Sequence, residues 1–289
     1  MRILDTPTWR ARQDAHIARA EALTRDHLDR RRRGITHPVF DFLFEYYPVR
    51  PAHLRRWHPG YGLALEGHTE HAQWRDYQLI SAPAATTVDL SSLWQRRGET
   101  YVYIRDLLQR TNLNPAHFDC FGLHEWAMVY RTDHPRHDLP LRLGAAGSDA
   151  VVDKHNIRCT HFDAFRFFTP PARALNIAVL ERADQPEFDQ AGCVHATMDL
   201  FKWASKLGPL VPGEVLLDAF ELAVDARILD MEASPYDCRD YGLGVVAIET
   251  AAGKAEYVAR QRALADHGKP LRDRLVAIIA AAEVDTLNP

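Results

Sequence analysis

Cysteine is scarce in this chain, and each one stands alone. Cys120, Cys159, Cys193 and Cys238 include no CxxC pair, which excludes a cysteine zinc site and a disulfide framework and reads as reduced thiols. There is no run of about 18 apolar residues, so no membrane-spanning helix is expected. The N-terminal MRILDTPTWRARQD has no apolar core of the secretory type, and a cytoplasmic location is the expectation. GxSxG is missing, which removes the usual serine nucleophile. GAAGSD, beginning at Gly144, is not followed by GK[ST] and fits no dinucleotide fingerprint. HExxH and ExxH are missing as well. No internal repeat and no low-complexity linker breaks the text.

What is present suits a globular enzyme. The 289 residues are 46% apolar, enough chain for a sizeable core in one domain. The net charge of −4 hides an asymmetry: residues 1–60 hold 12 Arg against 7 acids, or +5, which leaves −9 for the rest. A basic N-terminal region (1–60) on an acidic body (61–289) permits a polyanion partner on one face.

Read in order, Thr8 to Arg33 forms a long helix capped by Thr6 or Thr8 and stopped at Gly34. Its closing run Arg30, Arg31, Arg32, Arg33 is either a solvated end that suits the helix dipole or a phosphate contact. Phe40, Leu43, Phe44 and Tyr47 have helical spacing, closed by Pro48 and Pro51, and read as core. Arg55, Arg56, Trp57 and His58 precede a Pro-Gly turn. They form either a structural turn or a basic, aromatic grip on a nucleic acid. GYGLALEG and YQLI read as short strands; residues 68–88 are otherwise loop-like. Leu90 to Asn112 is helical with a break near Gly98 and a second cap at Thr100, with Val102, Leu107 and Leu108 facing inward. AAGSD reads as a turn. CVHATMDLFKWASKLG is a helix ended by Gly208-Pro209. GEVLLDAFELAVDARILDMEA is another, with a buried stripe of Val215, Ala219, Leu222, Ala226 and Leu229. Helices over 252–266 and 270–283 close the chain. The expected fold is α+β: a mainly helical single domain over 1–289, with a small central sheet in the middle third.

Three clusters carry chemistry. The densest is RCTHFDAFRFFT, Arg158 to Thr169. His161, Asp163 and Arg166 are costly to bury without partners, and the four Phe are costly to expose. A polar group among aromatic walls is what a binding pocket needs. Asp163 is either a reacting carboxylate or half of an ion pair with Arg166. The second cluster is His124-Glu125-Trp126. The third, His195, Asp199 and Lys202, shares one helix face and either meets solvent or walls a site. Cys159 beside His161 has nothing to lower its pKa. Cleaving a glycosidic bond needs a carboxylate against an oxocarbenium-like transition state, and a flipped base is held between rings. Asp163 with His161 and Arg166, and Glu125 as a second acid or base, supply those groups.

The segments CFGLHEWAMVYR, RCTHFDAFRFFTPPA, HATMDLFKWASKLGP and LDMEASPYD resemble a family of bacterial proteins labelled 3-methyladenine DNA glycosylase. The resemblance runs from RRRRG and HPVFDFLFEYY to the last helices. The helix-hairpin-helix of many DNA glycosylases is missing, since LVPGEVLLDAF lacks the second hairpin glycine. The family is also similar to anti-phage glycosylases that excise glucosylated hydroxymethylcytosine. The resemblance implies monofunctional excision of a modified or damaged base from duplex DNA, in a pocket roomy enough for a base bearing a sugar, with an abasic site left behind.

The physical reading assigns the roles. Asp163 is the carboxylate, His161 orients water or base, and Glu125 is the alternate acid or base. Arg166 anchors an anion, and Phe121, Trp126, Phe165 and Phe168 wall the pocket. His124, His195, Asp199 and Lys202 complete the substrate site, Lys202 as a Schiff-base amine if the enzyme is bifunctional. DNA lies along Arg30 to Arg33, Arg55, Arg56, Trp57 and His58. No cofactor, metal or protein partner is expected. Two alternatives stand: a mononuclear metal enzyme built on His124, His161, Asp163 and His195, and a nucleic-acid binder without catalysis.

Overall fold

In the computed structural model of the chain, residues 1–47 and 49–287 are described; Pro48, expected to close a helix, lies outside them. The elements run β1 (Arg2–Leu4), α1 (Thr6–Arg32), α2 (Phe42–Glu45), α3 (Pro51–Arg55), β2 (Leu63–Glu66), β3 (Tyr77–Ser81), β4 (Ala84–Val88) and α4 (Leu90–Leu113). There follow α5 (Leu123–Ala127), α6 (Gly144–Asp153), α7 (Phe162–Phe165), α8 (Pro170–Arg173), α9 (Gln185–Phe188), α10 (Val194–Leu207), α11 (Gly213–Glu232) and α12 (Ala251–Leu287). The fold is α+β and mainly helical. Its one four-stranded sheet has the order β1-β2-β4-β3, with β1 parallel to β2 and the other pairs antiparallel. The sheet draws on residues 2–88, earlier in the chain than the middle third.

Local chemistry explains the boundaries. Asp5, not a threonine, caps α1: its carboxylate accepts from the Thr8 amide at 2.8 Å. The helix stops where Gly34 takes φ +67°. Its apolar positions are few, and it leans on α11 through Arg12–Glu214 and Arg19 with Asp218 and Glu221. These pairs are a third or more exposed and stabilise only weakly. α4 runs unbroken through Gly98, where the expectation was a break and a cap at Thr100. A Cβ on Gly98 would lie 2.8 Å from Trp94 Nε1, so the glycine makes room for an indole one turn earlier. Tyr101, Ile104, Leu107 and Leu108 face the core, while Val102 is half-buried.

Three other expectations are corrected. GAAGSD starts helix α6 and is not a turn. Residues 68–88 hold β4, whose small AATTV residues carry no clear alternation. The last two helices are one, α12, with Pro270 inside it. Proline removes one backbone hydrogen bond, but Asp266 and Pro270 are both exposed, so the freed carbonyl lies on the solvated side.

The core positions the site. α10 is buried on nearly every face against α4, α11 and α12. The expected stripe of α11, Val215, Ala219, Leu222, Ala226 and Leu229, is buried throughout. With α10 enclosed, its polar face of His195, Asp199 and Lys202 turns into the protein, and the residues it meets define the site.

Candidate active site

The three sequence clusters meet, and α11 adds a fourth. His124 and Glu125 come from α5, Asp163 from α7 with His161 just before it, and His195, Asp199 and Lys202 from α10. Arg227 and Asp230 come from α11. The His195 ring packs edge-on to His124 at 4.5 Å and nearly parallel to His161 at 5.4 Å between centroids. His124 Nε2 bonds Asp230 at 2.7 Å, and Arg227 donates to the same carboxylate at 2.9 Å. His161 Nδ1 bonds Asp189 at 2.9 Å, and its Nε2 lies 3.7 Å from Asp199. Lys202 donates to Asp199 at 2.6 Å and to Asp163 at 3.2 Å. Asp163 also receives Arg182 at 2.8 Å and lies 3.3 Å from Arg166.

These contacts sort the carboxyls into opposite states. Burial works against a charge on Asp163, but Lys202, His161 and Arg182 outweigh it and bring its pKa down to about 2. Burial and the neighbouring Asp230 push Glu125 above the usual carboxyl range. Burial also opposes charge on Asp230, yet His124 and His195 hold it well below that range. Against burial, Asp189 raises His161 and Asp230 raises His124. His195 goes the other way: burial first, then the charge on His124, lower it well below the ordinary value. Among the described residues Glu125 Oε2 has no hydrogen-bond partner. A histidine and a carboxyl that burial pushes toward their neutral forms thus stand beside an aspartate whose neighbours favour its charge.

Of these groups Asp163, Arg166, Arg182 and Lys202 line a cavity of about 1190 Å³. Its aromatic rings are Phe42, Tyr46, Tyr47, Tyr103, Phe167 and Trp203, and its cations are Arg136, Arg166, Arg182, Lys202 and Lys206; Glu45 and Asp163 are its acids. Phe167 carries Arg136 over its ring at 3.5 Å and Arg166 at 4.3 Å. Arg136 has no carboxylate partner among the described residues. A chamber of about 20 Å³ lies deeper, sharing Phe42, Tyr46, Arg136, His137, Asp163 and Phe167 with the cavity and adding Glu125, His195 and Arg227.

Several expected residues sit elsewhere. Trp126 is fully enclosed, its indole donating to the Ala233 carbonyl at 2.9 Å. Phe165 and Phe168 turn into the core, while Phe167 of the same run faces the cavity. Phe121 lies beneath the Lys254 ammonium and lines neither space. His161, His124 and Asp199, expected at the substrate site, line neither space. Lys202 is held protonated: burial opposes its charge, but Asp199 and Asp163 raise its pKa, the reverse of what an amine nucleophile requires. Burial pushes the Cys159 thiol up to about 12, so it offers no thiolate. Arg227 and Asp230 escaped the sequence reading because they interrupt no apolar period of α11. Phe42 and Tyr46 escaped because their spacing reads as core.

The expected DNA face divides in the same way. Trp57 is enclosed, donating to Glu214 at 3.3 Å, and His58 bonds Tyr77 at 2.8 Å with its pKa lowered to about 3 by burial. Neither can wedge a base. Arg30 pairs with Asp41, Arg32 with Asp29 and Arg55 with Glu21, while Arg31 and Arg33 are exposed. Arg56 stacks on Trp74 at 5.0 Å and, with Arg97, lines a second cavity of about 360 Å³ that shares Tyr47, Lys202 and Lys206 with the first.

Two groups have donor atoms close enough for a metal ion: His124, Glu125, His195 and Asp230, and His161, Asp163 and Asp199. Both already contain a cation. Lys202 lies between Asp163 and Asp199, and Arg227 is bound to Asp230. The donor sets therefore fit an internally neutralised polar network better than an ion site. Compared with family models, with curated proteins and with solved structures, the chain matches none.

Proposed function

We propose that this protein is a DNA glycosylase that hydrolyses the N-glycosidic bond of a modified or damaged base and leaves an abasic site. The observation that carries the reading is a pair of carboxyls with oppositely shifted pKa values: Asp163, lowered among its cations, lines the ring-lined cavity, and Glu125, raised by burial beside Asp230, lines the small chamber next to it. As the bond from C1′ to the base nitrogen breaks, its electron pair goes to the base and positive charge grows on the sugar. The Asp163 carboxylate opposes that charge. Glu125 donates its proton to the departing base. Water adds at C1′, its released proton returns Glu125 to the acid form, and the sum is one water consumed with free base and hydroxyl sugar as products.

The cavity supports the substrate class. Its aromatic rings offer stacking surface, and a base rotated out of the helix needs such a surface. Arg136, Arg166, Arg182 and Lys206 suit flanking phosphates. The volume of about 1190 Å³ has room for a base enlarged by a substituent. The metal-enzyme alternative needs His124, His161, Asp163 and His195 in one donor set, and these four fall into two separate sets. Duplex DNA carrying methylated, hydroxymethylated or glucosylated bases, assayed for alkali-labile sites, tests the proposal. Cleavage that Glu125→Gln abolishes supports it, and the same cleavage from both proteins removes it.

A further inference from the structure

The small inner chamber holds a concentration of unmet hydrogen-bonding capacity. Arg227, 1% exposed, uses Nη1 on Asp230 at 2.9 Å. Its Nε and Nη2 have no acceptor, although the guanidinium lies over the Phe42 ring at 4.1 Å. Glu125, 4% exposed, leaves Oε2 without a partner and brings Oε1 to 4.0 Å from Arg227 Nη1. His195 is half-buried beside them. All three residues line the one chamber. Buried polar groups left without partners are costly, and those in a native fold ask for an explanation.

Size and chemistry narrow the occupant. About 20 Å³ is room for a water molecule or a group of that size, so a ring could put only an edge there. Its body would stay in the outer cavity against Phe42, Tyr46 and Phe167, which border both spaces. The orphaned atoms mix donors on Arg227 with a carboxyl on Glu125. A bare cation would face the guanidinium, and a bare anion would face the carboxyl. A neutral edge that sets a C=O beside an N–H satisfies both at once.

We infer that the chamber is an edge-reading subsite, in which Arg227 and Glu125 recognise a heterocycle bearing a carbonyl next to a ring N–H, with His195 as the third contact. The inference rests on the base-excision reading for the reason a base enters, but it concerns recognition and is tested apart from bond cleavage. It makes Arg227 a specificity-determining residue and orients the substrate with its base inward and its phosphates at the outer cations.

The test is binding of free heterocycles to the intact protein by calorimetry. Hypoxanthine carries the paired edge and purine lacks it; uracil and pyrimidine form a second such pair. The oxo compounds are expected to bind at least about tenfold tighter than their partners, the range of a paired hydrogen bond lost at a buried site. Arg227→Met should erase that ratio, Glu125→Leu should shrink it, and Arg55→Met, at a residue that lines neither space, should leave it intact. Arg227→Met strands Asp230, so a melting curve accompanies it; the ligand pairs on the unaltered protein need no variant. Equal binding within both pairs overturns the inference, as does a ratio that persists in a folded Arg227→Met protein. Edge-dependent binding without any base excision would remove the hydrolytic proposal and leave this subsite standing.

Discussion

Glu125 and Asp163 show how position decides what a carboxyl can do. Three cations around Asp163 lower its pKa to about 2, whereas enclosure beside Asp230 raises that of Glu125. If protonated Glu125 is the acid, the rate should fall as pH rises through its raised pKa, above the usual carboxyl range. Asp163 should set no limb at working pH. Glu125→Gln should slow base release by about 10²- to 10⁴-fold, the usual span for a general acid, in single-turnover assays across pH. The same shifts act on stability. Glu125 titrates higher folded than unfolded, so its ionisation destabilises the fold as pH rises from about 4.5. The lowered pKa of Asp163 stabilises the fold above about 3.8, and that contribution is lost as pH falls through about 2. Urea melts at pH 6 and pH 3 should therefore show a Asp163→Asn deficit at the higher pH that narrows at the lower.

At the scale of elements, α10 is the informative case. Its composition admits two faces, and the polar one reads as solvent until α4, α11 and α12 enclose it. The sequence made the three clusters visible because His, Asp and aromatic residues are dense there. It hid Arg227 and Asp230, since one Arg and one Asp inside a strongly periodic helix look like ordinary surface. It also hid which of the phenylalanines faces the cavity. α7 is a single short turn, so neither the strand nor the helix period continues, and Phe167 falls outward while Phe165 and Phe168 fall inward. The α+β class and the long helices were legible from periodicity. β1 and β4 were not, being three and five residues long with their pattern set by sheet neighbours. α12 gives an independent check on element energetics. Pro270→Ala restores a backbone donor inside an exposed stretch of helix and should stabilise the protein by about 1–3 kcal/mol, read from thermal or urea unfolding.

Across the whole molecule, the basic N-terminal region is not where uncompensated charge collects. The arginine-rich N-terminal region spends Arg12, Arg19, Arg30, Arg32 and Arg55 on pairs within the protein. The cations without full compensation ring the cavity, and the second cavity extends them toward Arg56 and Arg97. A strand bound along this track should show affinity that weakens with salt. Replacing Arg136 or Lys206 by Ala should lower the slope of log affinity against log salt by about 0.9 each, whereas replacing Arg55 should leave it unchanged. Fluorescence anisotropy with labelled duplex and single-stranded DNA from 50 to 300 mM salt, roughly the range over which phosphate contacts dominate, reads that difference.

The most direct measurement of the central claim is base release itself. Duplex DNA carrying methylated, hydroxymethylated or glucosylated bases would be incubated with the protein and with Glu125→Gln, and the freed base and the alkali-labile site quantified together. The account predicts equal amounts of free base and abasic site from the unaltered protein, and a loss of about a hundredfold or more in the variant. Release by both proteins at one rate, or no release from any of these substrates, would contradict it.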